Sequence, residues 1–247
     1  MSLSRAFATT LLAAACSAYA ADPADLMITD GTVLTMNPEN TVFEHGTVVV
    51  SDGKIVAVGG PELTAKYQAK KVLDVKGDIV MPGLINPHTH GSMTVFRSLG
   101  DDVPDRLHRY IFPLENKLVS RDMVRTGANL ANIEMIKGGV TTYADMYYFE
   151  DEVAKTVDKA GLRAVLGETI INFPVADAQT PEEGIAYAVR FINEYKDHPR
   201  ITPAFAPHAP YTNTTENLQK IAALSEELNV PVMIHLAETD REKEEIA

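Results

Sequence analysis

The chain has 247 residues, 45% of them hydrophobic and 23% charged, an ordinary globular composition with enough apolar content for a sizeable core in one large domain or two small ones. Its formal net charge of −12 argues against nucleic acid as a partner, because phosphate binding needs a basic face, and mainly predicts solubility.

Residues 1–20 differ from the rest. Arg5 carries their only charge, 6–15 are apolar apart from two threonines, and Ala18-Tyr19-Ala20 precedes Ala21-Asp22. This is the pattern of a secretory signal peptide cleaved after Ala20, and it predicts a secreted or periplasmic protein; the apolar run is too short for a membrane span. Lipoprotein processing at Cys16, the only cysteine, is the rival reading, with Leu12 one place too early for a lipobox. Cleavage after Ala20 removes that cysteine and with it any disulfide or thiol chemistry.

From Leu26 to Leu73 short β-rich runs (26–29, 32–35, 46–50 and 54–58) alternate with the turn signals Asp30-Gly31, Asp52-Gly53 and Gly59-Gly60. They predict a small antiparallel sheet with too few strands to bury both faces. After Gly77 strand-like and helical runs alternate, which predicts βα units and a parallel sheet. The strands expected are 78–86, 140–145, 162–170, 200–206 and 231–236. The helices between them are 121–137 behind Ser120, 152–160 ending at Gly161, 181–195 behind Thr180, and 215–228; a further helix starts near 240. Five βα units predict an incomplete (β/α) barrel, since a complete one needs eight, and the chain reads as a fragment of a longer protein. An intact doubly wound domain would usually show a glycine-rich phosphate loop after its first strand, and none is present.

The chemistry-bearing residues fall at the ends of these strands, where a (β/α) barrel keeps its site. Pro87-His88-Thr89-His90 closes the first strand, and histidines at i and i+2 of a strand point to one side, so both imidazoles can bind one metal ion. His235 ends the fifth strand and can be a third ligand. Glu238, three residues on, is either the cap of the next helix or a carboxylate that moves a proton from a metal-activated water to a leaving group. His208, rigidly flanked by Pro207 and Pro210, is either a substrate or metal contact or a hydrogen-bonded loop histidine. Glu115 could bond sugar or amine groups but on spacing alone reads as a surface carboxylate, and Arg97, Asp101 and Asp102 share that ambiguity. Asp145 ends the second strand, where it can support or join a metal site. His45, His108 and His198 read as solvent-facing loop or helix residues.

At these positions the chain resembles the amidohydrolase superfamily, nearest to its S-adenosylhomocysteine/5'-methylthioadenosine deaminases and chlorohydrolases. The matching segments are Met81–His90, Gly138–Thr142, Pro207–Thr212 and His235-Leu236-Ala237-Glu238-Thr239, with 52–59 adding to them. The resemblance implies an α/β protein, a (β/α)8 TIM barrel of which the first five units are present, with a small β-sandwich to which the N-terminal segment contributes. The expected divisions are 1–20 signal peptide, 21–77 β-sandwich part and 78–247 barrel part. It implies His88, His90 and His235 as metal ligands, Glu238 as the proton-shuttling catalytic residue, and His208 and Glu115 as substrate contacts. Binuclear relatives carry a bridging lysine on strand four; 200–206 has none, which implies one divalent ion, zinc by donor chemistry, with Fe2+, Ni2+ or Mn2+ also fitting. The family's histidine after strand six and aspartate after strand eight are not in this sequence, so the chain by itself is expected to be inactive. The reading that follows is a metal-dependent hydrolase deaminating an aminated heteroaromatic ring. The alternatives are a chlorohydrolase or cyclic-amide hydrolase on the same scaffold, or a non-catalytic periplasmic metal- or ligand-binding protein. The expected partner is a small-molecule substrate; homo-oligomerisation stays open.

Overall fold

The computed structural model describes residues 21–103, 105–238 and 242–245; the signal-peptide reading of 1–20, Cys16 included, lies outside them. The described residues form two compact units, one up to Pro82 and one from Gly83.

The first unit is a five-stranded sheet made of β1 (Asp22–Leu34), β2 (Val42–Ser51), β3 (Lys54–Gly59), β4 (Tyr67–Asp74) and β5 (Ile79–Val80). Its order is β3-β2-β1-β4, with β5 also on β1. Two expectations are corrected here. The runs 26–29 and 32–35 are one strand, because Asp30-Gly31 makes a bulge: Asp30 has φ 58°, and the β1–β2 register shifts on both sides of Gly31. A Cβ on Gly31 would lie 2.6 Å from a Val80 methyl, so the close approach of β5 also needs glycine there. The sheet is mixed, since a short helix, α1 (Leu63–Lys66), intervenes and the chain reaches the far edge of β1, where β4 and β5 both run parallel to it. Ala24, Met27, Val49 and Leu63 form the core of this unit.

The run 78–86 is the third correction. It is two strands in two sheets: β5 ends at Val80, and β6 (Leu84–Thr89) opens the second unit. A continuous apolar run cannot reveal a change of sheet, but Pro82-Gly83 marks where it happens. The second unit continues with a 3-10 turn over Gly91–Phe96, a wider helical turn over Leu107–Ile111 that leads directly into α2 (Phe112–Leu118), then α3 (Arg121–Lys137), β7 (Val140–Tyr147), α4 (Glu150–Ala160), β8 (Arg163–Ile170), α5 (Pro181–Tyr195), β9 (Ile201–Pro207), α6 (Thr215–Leu228) and α7 (Glu242–Glu245). The helical segments between 91 and 118 were not expected. The limits of α3 and α5 are those expected, with the predicted caps in place: the Ser120 and Thr180 hydroxyls accept from the backbone N–H groups of Met123 and Glu183, and at α6 the Thr214 hydroxyl accepts from Asn217 in the same way.

Strands β6-β7-β8-β9 are parallel throughout, each joined to the next through helical segments, the opening arc of a (β/α) barrel. The predicted fifth strand is reduced to a bridge between Phe205 and Val232 and bonds from Phe205 N to Pro231 O and from Met233 N to Phe205 O. Leu166, Ile170, Phe191 and Phe205 are buried between the sheet and its helices. Leu84 and Ile85 at one edge, and Val232 and Leu236 at the other, stay exposed, because the sheet is open and nothing among the described residues pairs with those edges. No helix among the described residues is long and apolar enough to cross a membrane.

Candidate metal centre and active site

The C-terminal ends of β6 to β9 bring the predicted histidines together. His88 and His90 leave the end of β6 on one side, and their Nε2 atoms are 3.4 Å apart. Two nitrogens each about 2.0–2.1 Å from a tetrahedral zinc ion are separated by roughly 3.3 Å, so this spacing fits shared coordination. His235 completes the group: its ring lies 5.1 Å from those of both His88 and His90, and the three ligand atoms fall within 4.8 Å of one another.

Hydrogen bonds fix the orientation of His90. Its Nδ1 lies 2.7 Å from the Met146 carbonyl, which can only accept, so Nδ1 carries the proton and Nε2 keeps its lone pair. Behind it, Asp145 Oδ1 accepts from Gly91 N and from the Thr89 hydroxyl, which ties the backbone on both sides of His90 to β7. Asp145 thus stands as a support beneath the histidine pair. It is fully buried, as are Glu150 and Glu168, and burial pushes all three carboxyls up. The Glu150 carboxyl lies against Asp145, which raises it further, while the Tyr147 backbone lowers it in part. Two facing carboxyls bond only through a shared proton, so Glu150 is held as the acid.

His235 is aligned by its N–H, which donates to the His208 carbonyl at 2.8 Å. Burial, with His90 beside it, holds its imidazole below the usual range. His208 is buried, and its ring stands edge-on to His235 at 5.1 Å. Burial pushes its imidazole down to about 4 despite the nearby Glu238, so it is neutral at neutral pH. His208 Nδ1 lies 3.0 Å from the Thr212 hydroxyl, which also accepts from the Ala209 N–H at 3.1 Å and so ties the ring to its loop. A second donor group of His208, His235 and Glu238, again within 4.8 Å, shares His235 with the first. Glu238 Oε2 accepts from the Tyr211 hydroxyl at 2.7 Å.

The cluster opens onto a cleft of about 380 Å³ lined by Met93, Phe112, Met146 and Tyr148 among others, with His90, His208, His235 and Glu238 at one part of its wall. A small heterocyclic ligand needs a cavity of this order. Glu115 also lines it and is no surface carboxylate: α2 buries it to 5% exposure, and that burial pushes it up to about 7, with the Tyr147 hydroxyl beside it lowering it in part. Arg97 and Asp101 line the cleft but are engaged elsewhere, Arg97 with Glu134 at 2.7 and 3.1 Å and Asp101 with Arg106 at 2.9 Å, while Asp102 is exposed. Of the histidines set aside, His45 is exposed but sits in β2, and His108 is exposed beside Phe112. His198 is mostly buried and accepts two backbone N–H groups at Nδ1, a structural role rather than the solvent-facing one expected. The sequence reading missed Tyr211 and Tyr147. The Tyr of Pro207-His208-Ala209-Pro210-Tyr211 was in view, but nothing local said that its hydroxyl meets a carboxylate 27 residues away.

Residues 79–247 match the model of the amidohydrolase family. A 5-methylthioadenosine/S-adenosylhomocysteine deaminase of Syntrophobacter fumaroxidans is 43% identical over 226 residues, 90% of this chain and 51% of its own length. The crystal structure of an adenosine deaminase from Xanthomonas campestris with bound zinc superposes with a TM-score of 0.87 at 35% identity, over 90% of this chain and 51% of that one. An atrazine chlorohydrolase of Arthrobacter aurescens complexed with zinc, 19% identical, shares the fold with a TM-score of 0.73 over 86% of this chain and 53% of that one. The chain spans about half the length of the curated relatives it matches.

Proposed function

This chain belongs to the amidohydrolase family, and we propose that it carries the metal-binding and proton-transferring part of a deaminase acting on an adenine nucleoside of the 5'-methylthioadenosine or S-adenosylhomocysteine type. The observation that carries the reading is the convergence of His88, His90 and His235 next to Glu238, on a cleft that also contains a buried carboxyl, Glu115. The donor set of three imidazoles suits a single zinc ion, and the zinc in the Xanthomonas relative supports that choice. Zinc, when bound, lowers the pKa of a water towards roughly 7 and so supplies a nucleophile at neutral pH.

The protein residues do the rest. Glu238, held by Tyr211 on one oxygen, accepts the first proton of the attacking water on the other and passes it to the ring nitrogen, then carries the second, from the new hydroxyl, to the departing amine. His208, neutral and lining the cleft, orients the substrate. Glu115 accepts hydrogen bonds from the sugar hydroxyls. The apolar wall of Met93, Phe112 and Met146 takes the ring and excludes water. The residues 1–20 read as an export signal, which would put this reaction outside the cytoplasm.

The role given to Glu115 has a pH consequence. Its carboxyl is raised to about 7, so it is protonated below that value and accepts poorly, and ionised above it. With 5'-methylthioadenosine, kcat/KM is expected to rise with pH and level off above about 7. Glu115→Gln should lower the plateau roughly 10- to 100-fold, as expected for losing hydrogen bonds to a charged group. An unchanged plateau in that variant would remove Glu115 from the sugar.

The substrate panel is the direct test. Ammonia release from adenosine, 5'-methylthioadenosine and S-adenosylhomocysteine, each with zinc-loaded protein in which this chain is extended to the full length of its curated relatives, supports the deaminase. Chloride release from a chlorinated triazine with no ammonia release moves the reaction to dechlorination, and zinc binding with no turnover of either class leaves a binding protein.

A further inference from the structure

One buried carboxylate near the site has no part in the chemistry above. Glu242 is only 2% exposed, although it stands in a run of charged residues that reads as a solvated helix. Both of its oxygens are spent on consecutive backbone N–H groups of the loop after His235: Oε1 accepts from Ala237 at 3.0 Å and Oε2 from Glu238 at 2.7 Å. Consecutive N–H groups aimed at one anion form a nest, which needs an unusual backbone. Ala237 supplies it with φ 55°, a left-handed conformation that a residue with a Cβ rarely takes and that persists only where its surroundings impose it. That single turn lets His235 and Glu238, three residues apart, face the same donor group with His208.

We propose that Glu242 is the positioning residue for Glu238: its carboxylate locks Ala237 in the left-handed turn and fixes the Glu238 backbone, while Tyr211 fixes the Glu238 carboxyl. Neither hold suffices alone. Tyr211 anchors one oxygen at the end of a flexible side chain, and the Glu242 clamp sets where that side chain starts. A proton carrier must stay within hydrogen-bond reach of both water and leaving group, so a shift of about an ångström in its backbone lowers turnover without touching substrate binding. This inference rests on the deaminase reading, since it assigns Glu242 a task in that reaction.

The test uses the purified, zinc-loaded protein and the variant Glu242→Gln, whose amide keeps the volume but has one acceptor oxygen in place of two. The expected result is a kcat lowered roughly 10- to 100-fold, with KM within about threefold and zinc affinity unchanged, and faster hydrogen exchange at the Ala237 and Glu238 amides. A general loss of structure would lower kcat as well, so the deciding readout is a double-mutant cycle. In a Glu238→Gln background Glu242→Gln should add no further loss, because it acts only through Glu238. Losses that multiply, or a Glu242→Gln enzyme with wild-type kcat, would overturn the proposal and leave the deaminase reading standing. A wild-type protein that deaminates no nucleoside would instead sink the functional reading, and the task assigned to Glu242 with it.

Discussion

Glu238→Gln is expected to lower kcat roughly 10²- to 10⁴-fold, the range a positioned acid–base group supplies, and to leave zinc content and KM close to wild type. Glutamine keeps the shape of the side chain, and its amide oxygen can still accept from the Tyr211 hydroxyl at the 2.7 Å seen for Glu238. The loop therefore has no reason to move, and what is lost is the ability to take up and return a proton. An interaction made only in the transition state lowers kcat and kcat/KM together, and that is the pattern to look for in steady-state kinetics. If KM rose with kcat unchanged, Glu238 would be a binding residue and the chemistry would have to be carried elsewhere.

His90→Ala is expected to weaken zinc binding by more than roughly 100-fold, since the loss of a supporting partner alone costs 10- to 100-fold and this variant removes a ligand. His90 is the informative choice because its orientation is the most fully determined: Nδ1 donates to the Met146 carbonyl, and Asp145 grips the residues on either side. Removal also leaves that carbonyl without its donor. Competition against a chelator of known affinity reads the change directly. Activity in the variant should return only at high added zinc, in proportion to occupancy. The wild-type affinity should fall as the solution is acidified through the imidazole range near 6.5, because ligand nitrogens must be unprotonated. His235, held below that range, is among the ligands that protonate late. Wild-type zinc affinity in His90→Ala would mean that the ion sits elsewhere.

How much of this was legible depends on how local the signal is. The starts of α3 and α5 follow from Ser120 and Thr180, each within a few residues of the end it defines. The His88-Thr89-His90 pair was legible because the strand period alone puts both rings on one side. The division of 78–86 between two sheets was not, since hydrophobicity reports burial and not which neighbour does the burying. Asp30-Gly31 carried a hairpin signal but forms a bulge, because β5 packs against Gly31 from far along the chain. The burial of Glu115, Glu150 and Glu168 contradicts their residue type and depends on long-range packing. Glu242 stands in the stretch near 240 that reads only as the start of a further helix; its partners are backbone N–H groups, which a sequence does not display.

The most direct test of the account is the rate of ammonia release from 5'-methylthioadenosine as zinc is titrated into metal-free protein in which this chain is extended to the full length of its curated relatives. The account predicts no release without metal, a rise in proportion to zinc added, and a plateau at one equivalent per chain. Release that is undiminished in the metal-free protein, or none at full occupancy of the His88, His90 and His235 site, would contradict it.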